Sequence, residues 1–224
     1  MQPYFKNDLM ILYHGDCREI TDWLSGDVLV TDPPYGIEWM KNTLGSDKLK
    51  RNAMIERKKL LGGDIANDHD TTARDDVLEL WGNYKPAVVF GTWKKIRPPK
   101  VKHRLIWHKM GRDPGINPHP WYPNDEEIYL IGGGWVGKPT PTVITTQESR
   151  QHHSKFIGHP TPKPLGLMEI LINKCAPGVI VDPFAGSGST LLAARNCKRS
   201  SIGVEINEQY CEMIANRFSQ GILL

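Results

Sequence analysis

The stretch from Val179 to Glu205 leaves this chain few folds to choose from. Val179-Ile180-Val181-Asp182 is a short apolar run ending in an acid, Pro183-Phe184-Ala185-Gly186-Ser187-Gly188 is a glycine-bearing turn, a helix is expected over Leu191 to Asn196, and Ser201-Ile202-Gly203-Val204-Glu205 is a second apolar run. Strand, turn, helix and strand in that order predict a βαβ unit, and so a parallel sheet with helices packed on its faces. Gly186 and Gly188 let the backbone approach a ligand where a Cβ would collide. Glu205, at the tip of the second strand, is placed to accept hydrogen bonds from both ribose hydroxyls of a nucleoside. No Lys follows Gly188, which argues against a triphosphate loop, and Leu191 stands where a dinucleotide loop carries its third glycine. Asp182 adds a negative charge at the strand end, unwelcome to a pyrophosphate and suited to a cation.

A second strand-end motif lies far upstream. Asp27-Val28-Leu29-Val30 reads as a buried strand, followed by Thr31-Asp32-Pro33-Pro34-Tyr35-Gly36. The two prolines fix their own φ and remove two backbone donors, so acceptors dominate this loop. Asp32 and the Pro33 carbonyl can each take a hydrogen from an amino group, and Tyr35 offers a face to a planar ring. The natural guest is a heterocycle bearing an exocyclic amine.

Asp32-Pro33-Pro34-Tyr35 resembles the catalytic motif of the amino-group DNA methyltransferases, which methylate adenine N6 or cytosine N4. Three further segments are similar to that family: Gly15-Asp16, His159-Pro160-Thr161-Pro162-Lys163-Pro164, and the loop from Asp182 to Thr190 continuing to Glu205-Ile206. With the catalytic motif first and the cofactor loop last, the order resembles the β-type bacterial and phage enzymes. Pro162 departs from the Gln common at its place. The resemblance implies a class I, Rossmann-like α/β fold: a mostly parallel seven-stranded sheet with one antiparallel strand, spanning 1–224 as one methyltransferase domain. It implies catalysis by Asp32, Pro33, Pro34 and Tyr35, and S-adenosylmethionine as cofactor. The cofactor would be held by Asp16, Cys17, Asp32, Thr161, Lys163, Asp182, Phe184, Ala185, Gly186, Ser187, Gly188, Ser189, Glu205 and Ile206. Asp at the first motif position resembles adenine enzymes more than cytosine ones, so site-specific N6 methylation of a base flipped out of DNA is expected, with N4 of cytosine the alternative.

DNA contacts are expected from the basic segment 38–63, through Lys41, Lys48, Lys50, Arg51, Lys58 and Lys59. Trp121, Tyr122 and Arg150 are further candidates, and 132–158 resembles a short target-recognition segment in position. That shortness allows a homodimer, and the family allows a cognate restriction endonuclease. A net charge of +3 permits a nucleic-acid partner without demanding one. No apolar run approaches a membrane span and no signal peptide is evident, so a bacterial or phage-encoded cytoplasmic protein is expected. The four cysteines form no Cys-x-x-Cys pair, and no metal is expected. Rival readings are a methyltransferase acting on RNA or a protein amide, a non-catalytic DNA-binding module, and a nicotinamide oxidoreductase.

Overall fold

The computed structural model describes residues 1–38, 65–110, 120–146 and 162–219. Its strands are β1 (Phe5–Lys6), β2 (Met10–His14), β3 (Val28–Thr31), β4 (Ala87–Gly91), β5 (Val101–Lys109), β6 (Asp125–Ile131), β7 (Val143–Thr146), β8 (Ile180–Asp182) and β9 (Ser201–Glu205). Its α-helices are α1 (Thr72–Trp81), α2 (Leu165–Ile172), α3 (Ser189–Asn196) and α4 (Glu208–Ser219), and a 3₁₀ turn spans Asp22–Ser25. The strands form one sheet in the order β1-β2-β9-β8-β3-β4-β6-β5-β7. All neighbours pair in parallel except β1 with β2 and β6 with its two flanking strands.

The expected fold class stands, with the sheet corrected, among the described residues, to nine strands, of which β1 and β6 are antiparallel to their neighbours. Two short edge strands extend the sheet. β1 falls within the first six residues, and β7 within a segment too polar to be read as a strand.

The central strands are apolar throughout because both their faces are covered. Side chains alternate faces along a strand, so β3 sends Leu29 to one side, where it packs with Trp23, Val77 and Trp81. Val28 and Val30 go to the other side, against Leu167, Met168 and Leu171 of α2 and Ala193 of α3. The pattern repeats in β4, where Ala87 and Val89 join the first cluster and Val88 and Phe90 the second. A third cluster, Met10, Leu12, Leu191, Ile214 and Phe218, fastens α4 over β2. Among the described residues, no helix is long and apolar enough to cross a membrane.

Candidate active site

The site follows from strand order. β3 and β8 lie side by side in parallel, with Val28 opposite Ile180 and Leu29 opposite Val181. From β3 the chain goes on to β4 on one side, and from β8 it goes on to β9 on the other. The loops after the two strands therefore diverge and leave a crevice between them. The Thr31 hydroxyl donates to Asp182 Oδ1 at 2.6 Å, joining the strand ends across 151 positions of sequence. Phe184 N–H donates to the same oxygen at 3.1 Å. Burial raises the Asp182 carboxyl to about 6, against the pull of the hydrogen bonds from Thr190, Thr31 and Phe184.

On the β3 side, Asp32 is one corner of a partly buried charge cluster. Lys163, in the lead into α2, donates to Asp32 Oδ2 at 2.5 Å and lies 3.2 Å from Glu126 Oε2. Lys109, at the end of β5, ion-pairs with the other oxygen of Glu126, at the start of β6. The Tyr35 hydroxyl is 2.9 Å from Asp32 Oδ1 and 3.0 Å from Glu126 Oε2, within reach of donating to either. The Lys163 ammonium stands over the rings of Phe90 at 4.8 Å and Tyr35 at 5.5 Å from their centroids. Burial alone would lower the Lys163 pKa, but Asp32 and Glu126 more than reverse this and keep it charged. Burial pushes Asp32 above the usual carboxylate range, against the pull of Lys163. Burial and the two carboxylates hold Tyr35 as a neutral phenol, well above its ordinary value.

The motif ends on Gly36, at φ 71°. A Cβ there would stand 2.5 Å from the Asp70 carbonyl carbon. Its N–H donates to buried Asp68 at 2.8 Å, which ties the motif to the approach to α1.

On the β8 side, backbone geometry does most of the positioning. Glu205 accepts the Gly186 N–H on one carboxylate oxygen at 2.6 Å and the Asn207 N–H on the other at 2.8 Å, leaving lone pairs on both. The loop is gripped from behind by Arg217 of α4, which donates to the Ser187 carbonyl at 2.5 Å. Gly188, at φ 77°, caps α3, and a Cβ on it would meet Ile214 at 2.9 Å. Packing by the protein itself thus accounts for that glycine, where the sequence suggested a ligand. Asp16 is engaged by Arg18, whose Nη2 lies 2.5 Å from Oδ2. Burial raises the Cys17 thiol to about 12, so this residue is an inert wall.

Both sides open on one cleft of about 310 Å³, lined by Asp32, Pro33, Pro34 and Tyr35. Asp16, Cys17, Lys163, Asp182, Phe184, Ala185, Gly186, Ser187, Ser189, Glu205 and Ile206 line it too, whereas Gly188 stands behind. Trp121 and Tyr122 are exposed and take no part in the lining. Thr161, Lys41, Lys48, Lys50, Arg51, Lys58, Lys59 and Arg150 lie outside the described residues. Among the described residues, no cluster of His, Cys, Asp and Glu could hold a metal.

The sequence did not single out Glu126, Lys109, Asp68, Trp93 or Lys94, all of which line the cleft. A signal for Glu126 was present in the run Asp125-Glu126-Glu127, three acids opening an otherwise apolar strand.

The residues fit a nucleoside with a cationic tail. Glu205 can take the sugar, and acids line both sides of the crevice. Arg18 and Arg217 are spent on Asp16 and the Ser187 carbonyl rather than offered to a phosphate.

The family described as DNA methylase, of the N6/N4 type, matches residues 65–217. The putative methylase YubD of Escherichia coli K12 is 41% identical over 88% of this chain and 84% of its own length. Type II methyltransferase M.ScaI of Streptomyces caespitosus is 27% identical over 96% of this chain and 83% of its own. In fold, the chain is similar to M1.HpyAVI in a complex with SAM, at TM-score 0.63 and 21% identity over 94% of this chain and all of that one.

Proposed function

The chain belongs to the N6/N4 family of DNA methylases, and from that premise we propose that it methylates N6 of adenine on a base turned out of duplex DNA. The observation that carries this reading is Asp32, held beside the crevice by buried Lys163 and facing the nucleoside loop across it. An amino nitrogen cannot approach an electrophile in line while its base is stacked and paired, so the base leaves the helix at a cost of a few kcal/mol. S-adenosylmethionine, the cofactor, supplies a methyl group on a sulfonium.

Asp32 and the Pro33 carbonyl accept the two amino hydrogens, turning the nitrogen lone pair out of conjugation and toward the cofactor side. The ring of Tyr35 flanks the base, its hydroxyl kept inward by Asp32 and Glu126. Lys163 holds the second oxygen of Asp32 and so fixes the plane of the carboxylate. As the nitrogen–carbon bond formed, the methyl's bond to sulfur would break to leave a neutral thioether, a proton would leave the nitrogen, and Asp32, made more basic by burial, is placed to receive it. Transfer is direct, and Cys17 on the cleft wall, its thiol raised by burial, takes no part in it.

Incubation with mixed-sequence duplex DNA and S-adenosylmethionine, followed by nucleoside mass spectrometry, tests this. N6-methyldeoxyadenosine is expected. N4-methyldeoxycytidine would move the reaction to the other base, and the absence of both products would overturn the proposal.

A further inference from the structure

We propose that residues 93–104, running from the lip of the cleft down the open edge of β5, form a docking surface for the backbone of duplex DNA. This rests on the proposed action on DNA and adds where the duplex is held. The sequence carries no Asp or Glu between Glu79 and Asp113. Within that acid-free stretch, Lys94, Lys95, Arg97, Lys100, Lys102, His103 and Arg104 fall in eleven positions.

The fold turns this composition into a surface. Trp93 and Lys94 line the cleft at the end of β4. All seven basic residues are exposed or half-exposed. β7 pairs with β5 over Ile106–Lys109, so among the described residues the half of β5 that carries Lys102, His103 and Arg104 has no strand on that side. Buried Glu127 anchors the segment at two points, accepting from Arg97 at 2.8 Å and Arg104 at 3.0 Å. Those two guanidiniums remain about half exposed. Lys94, Lys95, Lys100 and Lys102 have no carboxylate ion-pair partner among the described residues.

Charged residues on an open strand edge also guard against edge-to-edge pairing, which would account for Lys102 to Arg104. That duty leaves Lys94, Lys95 and Trp93 unexplained, because they precede the strand. Trp93 is 67% exposed at the cleft mouth, with the Lys94 ammonium 5.9 Å from its ring centroid. An exposed indole between a target pocket and a row of lysines is the combination that receives bases by stacking and their phosphates by charge. Trp93 would stack on a base beside the extruded one, and the four lysines would neutralise flanking phosphates.

The test measures binding of a labelled mixed-sequence duplex to the full chain by anisotropy across a series of salt concentrations. It compares wild type with Lys94→Gln/Lys95→Gln, Lys100→Gln/Lys102→Gln and Trp93→Ala, and calorimetry with S-adenosylmethionine serves as the folding control. Each double variant is expected to flatten the slope of log affinity against log salt by roughly 1.8, about 0.9 for each phosphate no longer neutralised. Trp93→Ala is expected to weaken binding about tenfold with the slope unchanged. A wild-type protein that binds and methylates DNA, with affinities and slopes unaltered in all three variants, overturns this surface and leaves the proposed function standing. A wild-type protein that binds no duplex overturns both.

Discussion

The two walls of the cleft are built by different means. The wall after β8 is held by backbone groups: Glu205 by two N–H donors, the loop by a carbonyl bonded to Arg217, and α3 by a left-handed glycine at its cap. The wall after β3 is held by side chains from four separate places in the sequence, Asp32 and Tyr35, Lys109, Glu126 and Lys163. A backbone-built site binds a constant ligand at little reorganisation. A clustered site can keep a carboxylate basic, through burial and a neighbouring carboxylate, while a lysine aims it. The first arrangement suits a cofactor that never varies, and the second suits chemistry on a guest that must enter and leave.

The contrast between the walls is sharpest at Asp32. Asp32→Ala should lower methyl transfer by about 10²–10³-fold or more, as for loss of a group that acts in the transition state, measured in single turnover. Lys163→Met should come next, as a loss of stability. It leaves the partly buried carboxylates Asp32 and Glu126 facing each other, and breaking a fully buried ion pair costs about 3–5 kcal/mol, so a loss toward the lower end of that range is expected. Urea denaturation reads this directly.

A smaller effect, opposite in sign, is expected at the seam between the walls. The Asp182 carboxyl is raised from 3.8 to about 6, so its ionised form is disfavoured in the folded state. The stability it contributes is fully present below about pH 4 and is lost as pH rises through 6. Asp182→Asn keeps an acceptor for Thr31 and should stabilise the protein at pH 8 by about 3 kcal/mol, with the gain vanishing near pH 4. Denaturation midpoints at the two pH values check it. Gly188→Ala should have the smallest effect, costing about 1–2 kcal/mol for a left-handed residue with a Cβ, read as a lowered urea midpoint.

The same contrast explains what could be read from the sequence. The β8 wall is legible because its parts are contiguous: strand, turn, helix and second strand occur within one run, and Glu205 follows at a fixed distance. The Asp-Pro-Pro-Tyr loop is legible for its stiffness and its acceptors. What backs Asp32 is not legible, because Glu126 reaches it through the pairing of β6 with β4 and Lys109 through that of β5 with β6, and pairing partners leave no local mark. Lys163 stood out in the sequence with its expected partner on the cofactor, whereas the fold sets its ammonium on Asp32. Gly188 was singled out for a ligand and is required by Ile214. β1 and β7 were missed because two and four residues at a sheet edge carry too little apolar periodicity to register.

The division of labour between the walls is tested most directly by calorimetric titration of S-adenosylmethionine into Asp32→Ala and Glu205→Ala. Wild-type affinity is expected in Asp32→Ala, and a loss of about tenfold or more in Glu205→Ala, where hydrogen bonds to a charged acceptor are removed. Equal weakening in the two variants, or tight binding retained without Glu205, would contradict it.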